Sequence, residues 1–143
     1  MNNCWNILAE RAKHTTREAH ARVIEARARV EKLEGSEVHI DKLRADYVER
    51  YNATQKESHK ISDNIAYRQF LEHLRGLRLR VESQTAAARA QLNEAKAALL
   101  VAQREQVKME AMVERDERNA EQIAAKKEQR ELDAAGIRLF NLR

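Results

Sequence analysis

The chain has 143 residues with no proline and only three glycines; 35% of it is charged and 4% aromatic. That is too polar and too poor in large side chains for a thick globular core, while the scarcity of helix breakers permits very long helices. The formal net charge of +4 comes from 27 basic residues interleaved with 23 acidic ones, unlike the concentrated basic stretch with which a helix enters DNA, so no nucleic-acid partner is expected.

Taken in chain order, the first helix is predicted to begin near Asn3–Asn6, where asparagine can cap, and to run to about residue 57. Along it, small and apolar residues recur at alternating spacings of three and four: Trp5, Leu8, Ala12, Thr15, Ala19, Val23, Ala26, Val30, Leu33, Glu37, Ile40, Arg44, Tyr47 and Tyr51. That rhythm keeps one face turned toward a partner helix. The polar stretch 55–66 breaks it, so a turn is expected at about 58–63, with Ser62, Asp63 and Asn64 as N-cap candidates. A second helix is predicted from about 63 to about 140, where Gly136 is a candidate terminator. Its seam runs Tyr67, Phe70, Leu74, Leu77, Val81, Gln84, Ala88, Gln91, Ala95, Ala98, Ala102, Gln106, Met109, Val113 and Asp116.

The two seams mirror each other about His59–Lys60, which pairs Tyr51 with Phe70, Tyr47 with Leu74, Ile40 with Val81 and Leu8 with Val113. The expected fold is therefore all-α: a long two-helix antiparallel coiled-coil hairpin, one domain over residues 1–143, with a C-terminal helical overhang. Glu37 against Gln84 and Thr15 against Gln106 form polar layers that fix the register. Arg44, facing Leu77, lays its alkyl stem on the seam and keeps its head in water. Around Thr15–Val23 and Ala95–Gln106 the neighbours Thr16 and Leu99 compete for the seam, which reads as a local stutter. Pairing runs out at Trp5 opposite Asp116. Residues 117–143 are left as an overhang that, if helical, extends roughly 40 Å. Its Ile123, Ile137, Leu139 and Phe140 call for a binding partner, since isolated helices are marginal in water.

No catalytic, metal or cofactor site is expected. His14, His20, His39, His59 and His73 are scattered, with no pair at i,i+4 to hold a metal, and the three glycines are too far apart for a phosphate loop. A reaction needs a shielded, pre-organised site, which a two-helix hairpin does not offer, so the chain reads as a binding or mechanical element and not an enzyme. Cys4 stands alone and reads as an inert end residue. The longest apolar run, 97–102, is too short to cross a bilayer, and the first residues lack a signal-peptide pattern, which points to the cytoplasm. Self-pairing predicts a monomer. Arg75, Arg78, Arg80 and Arg89, flanked by Glu72 and Glu82, read as a solvated flank with some preference for an acidic partner.

The aromatic residues are unevenly placed: Tyr47, Tyr51, Tyr67 and Phe70 all lie near the turn. They either fill the seam there or present ring surface as a hot spot for a partner, and both can hold for one ring.

The order of motifs resembles one family. Tyr67-Arg-Gln-Phe70-Leu71, with Gln84 following, is similar to the central motif of the FliJ family; Met109 to Glu121 resembles its later helix. Lys126-Lys-Glu128-Gln129-Arg130-Glu131-Leu132-Asp133, with Phe140 close behind, resembles its C-terminal signature. The resemblance implies a cytoplasmic stalk of the bacterial flagellar type III export apparatus, peripherally associated with the inner membrane through that apparatus. It also implies partners: a hexameric export ATPase, the cytoplasmic domain of the export gate membrane protein, and export chaperones that it escorts. By motif match, Tyr47, Tyr51, Phe70, Leu74 and Leu77 would face the gate, and Trp5, Leu8, Glu128, Gln129, Glu131 and Asp133 would lie at the ATPase end. Gly76 within helix two and Arg44 on the seam depart from the pattern. The alternatives are the equivalent stalk of a virulence-type secretion system and a generic scaffold coiled coil.

Overall fold

The computed structural model describes residues 3–54 and 61–142. Two helices account for nearly all of them: α1, Asn3–Thr54, and α2, Ile61–Asn141. They pack against each other antiparallel, and the fold is an all-α helical hairpin. The predicted last turn of helix one and the first half of the predicted turn, residues 55–60, lie outside the described residues, while 61–63 already belong to α2. Helix α2 begins before the expected caps, so Asp63 and Asn64 are within its first turn, where the acid suits the positive end of the helix dipole. Gly136 does not end α2; the helix passes through it, and Leu142 N–H still donates to the Arg138 carbonyl at 3.2 Å.

The residues group into two compact units. The first comprises 1–19 with 99–143, the second 20–98. In the second unit the core is built of Val23, Val30, Ile40, Leu74, Val81, Thr85 and Ala88. Burying a branched aliphatic side chain is worth about 1.5–3 kcal/mol each, so this seam alone justifies the pairing of two otherwise marginal helices. Ion pairs cross it from α2 to α1: Arg78 to Asp41 (Nε–Oδ1 2.9 Å) and to Glu37 (3.5 Å), and Arg89 to Glu34 (Nη2–Oε1 2.9 Å).

The first unit has a different core. Its buried residues are Ala9, Ala12, Ala19 and Ala102, each contributing a single methyl. Such small side chains let two backbones approach closely. The approach is visible at Thr16, whose hydroxyl lies 2.9 Å from its own helix's Ala12 carbonyl and 3.2 Å from the Ala102 carbonyl of the facing helix.

The observed seam corrects the expected one in phase and register. On α2 the inward residues are Thr85, Leu92 and Leu99, while Gln84, Gln91 and Ala98 are exposed. On α1 Thr16 is the inward threonine; Thr15 is exposed and bonds back to the Arg11 carbonyl. With Thr16 in place the three-four alternation on α1 runs unbroken, so the expected stutter at Thr15–Val23 is absent. Pairing is offset by about one helical turn from the mirrored scheme. Tyr47 meets Phe70 instead of Leu74, and Tyr51 meets Tyr67 instead of Phe70.

Both expected polar layers are therefore replaced. Half-buried Glu37 faces Arg78 (3.5 Å) in place of Gln84. Gln106 donates to Glu110 on its own helix at 2.9 Å, and Thr15 is not its neighbour. The one fully buried polar side chain among the described residues is Thr85, 1% exposed, and it is satisfied locally by donating to the Val81 carbonyl at 2.8 Å. Arg44 is exposed, in keeping with a charged head held in water.

Candidate partner-binding surfaces

In the second unit, the last turns of α1 and the first of α2 bring four rings together. Tyr51 stacks on Tyr67 with centroids 3.6 Å apart and planes within 9°; Tyr47 stacks on Tyr67 at 5.3 Å and meets Phe70 at 4.3 Å, tilted by 48°. Each ring pair adds about 0.5–1.5 kcal/mol beyond the area it buries. The Tyr51 hydroxyl donates to the Asn64 side-chain carbonyl, which orients the outermost ring. Asn64 was not singled out from the sequence as part of this cluster, although its position one heptad before Leu71 places it on the same face. All four rings are only half-buried, so the cluster both closes the helix pair and leaves ring surface open to solvent. A shallow groove runs along it, lined by Tyr47, Arg50, Tyr51, Thr54, Asp63 and Tyr67.

The expected gate-facing residues thus divide. Tyr47, Tyr51, Phe70 and Leu77 are half-buried with accessible edges, whereas Leu74 is 3% exposed and belongs to the core. Leu74 can shape this surface only from beneath. Next to it, Arg78 is held by three carboxylates: a two-pronged contact to Asp41 (2.9 and 3.4 Å), with Glu82 at 3.0 Å and Glu37 at 3.5 Å. Its hydrogen bond to the Asp41 carboxylate raises its pKa above the ordinary guanidinium value, so Arg78 stays charged at every accessible pH. Arg78 and Arg89 are therefore engaged within the unit, and the expected free basic flank reduces to Arg75 and Arg80.

In the first unit, Trp5 and Leu8 are half-buried, while every described residue from Glu117 to Leu142 is exposed. This segment is helical to Asn141 without a facing helix in its unit, as the overhang reading expects. Glu128, Gln129, Glu131 and Asp133 all point to solvent, with Gln129 donating to Asp133 at 3.1 Å as an i,i+4 brace. Large apolar groups stand among them: Ile123, Leu132, Ile137, Leu139 and Phe140, the last 76% exposed. They are spread around the helix, and none of them is covered within the unit.

Among the described residues no group of three or more His, Cys, Asp or Glu side chains could hold a metal ion, and no helix is long and apolar enough to cross a membrane. A family model described as the flagellar FliJ protein matches residues 6–143, nearly the whole chain. The chain belongs to the FliJ family. Membership makes it a component of flagellar type III protein export, in a family of structural and escort proteins. No curated protein and no solved structure matches it.

Proposed function

We propose that this FliJ-family chain is a cytoplasmic stalk that binds the export ATPase ring through its first unit and the export gate through its second, coupling ATP hydrolysis to flagellar protein export and escorting export chaperones. The observation that carries the reading is the solvent-exposed helix 117–141, whose apolar residues lack a cover within their own unit. A helix in that condition gains stability by docking, because burial of an amphipathic face supplies most helical stability. Trp5, Leu8, Glu128, Gln129, Glu131 and Asp133 belong to the ATPase-facing side of this proposal. Tyr47, Tyr51, Phe70 and Leu77 supply the gate-facing edge, backed by buried Leu74.

The test is to add the full chain to purified export ATPase and measure hydrolysis and hexamer formation. Both should rise, and an Ile137→Asp, Phe140→Asp double variant should lose the effect while keeping its helicity. Unchanged hydrolysis with the wild-type chain would remove the ATPase part of the reading. For the gate, Tyr51→Ala should weaken binding to the gate's cytoplasmic domain. Equal binding by that variant would leave the rings a purely structural role.

A further inference from the structure

In the second unit, a groove opens along one side of the junction between α1 and α2. Its floor is apolar: Ile40 and Val81, 6% and 8% exposed, with half-buried Leu77. The α1 wall carries Lys32, Gly35, Ser36 and His39. Small side chains leave space there, and a Cβ placed on Gly35 would meet nothing within 4 Å.

The charges along this stretch, 29–43 of α1 and 73–84 of α2, are unevenly used. Arg89 holds Glu34, and Arg78 holds Glu37, Asp41 and Glu82, which leaves Glu31 as the acid without an ion pair among the described residues. Exposed Arg29, Lys32, Lys42, Arg75 and Arg80 have no carboxylate within ion-pairing distance among the described residues. Around the groove the sign is uniform. No residue three or four positions from Lys32, Ser36, His39, Leu77 or Val81 is acidic, while Arg29 and Arg80 stand one turn from Lys32 and Leu77. We infer that this groove docks an acidic helix of a partner protein, which seats an aliphatic side chain on Leu77 and Val81 and sets Asp or Glu against Lys32 and Arg80. A nucleic acid would meet the same charge, but no aromatic ring lines the groove for a base to stack on. A lipid surface fits poorly, because the apolar residues are recessed below a polar wall instead of projecting from it. A second copy offers Leu132 among Glu128, Glu131 and Asp133, but Lys126, Lys127 and Arg130 are interspersed with them. Ile40, Val81, Lys32 and Arg80 lie outside the gate-facing set, which shares only Leu77 with the groove, so the gate reading can fail without the groove.

The experiment uses the full chain and two labelled synthetic helical peptides of about three heptads, identical in their Leu positions, one flanked by Glu and the other by Lys. The Glu-flanked peptide should bind, with affinity falling as salt rises, and the Lys-flanked one should bind about tenfold more weakly or worse. Lys32→Glu with Arg80→Glu should abolish the binding. Gly35→Leu, which fills the groove where the backbone has room, should weaken it about tenfold. The same charge change placed in the first unit, Arg104→Glu with Lys108→Glu, should leave it unaltered; all four charged positions are exposed, and circular dichroism checks that the helices persist. Equal binding of the two peptides, no binding of either, or an equal loss from the first-unit pair would overturn the inference. So would self-association of the chain, or its capture by phosphatidylglycerol vesicles or oligo(dT), if Lys32→Glu with Arg80→Glu removed it while the Glu-flanked peptide failed to compete.

Discussion

The two units hold the same pair of helices together by different means. The second relies on buried branched aliphatic residues, a cluster of four rings and carboxylate-held arginines; the first relies on buried alanine methyls, half-buried Trp5, Leu8, Leu99 and Met109, and one threonine hydroxyl touching the opposite backbone. Each alanine methyl buried is worth about 0.8 kcal/mol, against about 1.5–3 kcal/mol for Val, Ile or Leu. The second unit therefore has the deeper energetic well, and the first trades depth for close approach. Stability within a fold is not uniform, and surfaces that change partners come from its less stable part. The first unit also carries the bare helix 117–141, which fits that expectation.

The difference can be broken most easily at Leu74. Replacing it with alanine should cost about 2–4 kcal/mol in chemical denaturation, by lost transfer and a cavity in the seam. Ala102→Leu probes the other unit in the opposite sense. If the backbones are as close as the Thr16 contact requires, the added carbons should destabilise by about 1–3 kcal/mol; a gain in stability would mean that the alanine seam has room. Thr16→Val should cost about 0.5–1.5 kcal/mol by removing the cross-helix hydrogen bond. Gly35→Ala and Gly76→Ala should each stabilise the second unit by about 0.5–1 kcal/mol, because a Cβ at either position meets nothing within 4 Å and the helix gains propensity. The smallest effect is expected for Thr85→Val, within about 0.5 kcal/mol of zero, since its hydroxyl serves only its own helix.

Much of this was legible in the residues. The absence of proline, the three-four rhythm and its reversal near residue 59 identify two helices that pair antiparallel, and the clustering of rings near the turn is plain from the chain. What periodicity could not decide was phase wherever the helices are alanine- and glutamine-rich. At Gln84–Thr85, Gln91–Leu92 and Ala98–Leu99 adjacent residues compete for the seam, and a mirror pairing chosen to align the larger side chains elsewhere carries its error into all of them. The structure selects the leucine in the last two pairs and, in the first, the threonine, whose hydroxyl is satisfied by its own helix. The one-turn offset follows from ring packing: Tyr51 lies flat on Tyr67, a fit that a list of apolar positions does not contain. Leu74 shows the corresponding limit at the candidate site, where a motif names residues without separating surface from core. The Arg78 network was likewise hidden, because charges three and four apart along one helix do not reveal which acids face them from the other.

Amide hydrogen exchange of the isolated full chain tests the account's central claim directly. Protection should be strongest in 20–54 and 61–98, weaker in 3–19 and 99–116, and weakest in 117–141. Uniform protection across both units, or stronger protection in the alanine-paired segments than in the ring-bearing ones, would contradict it.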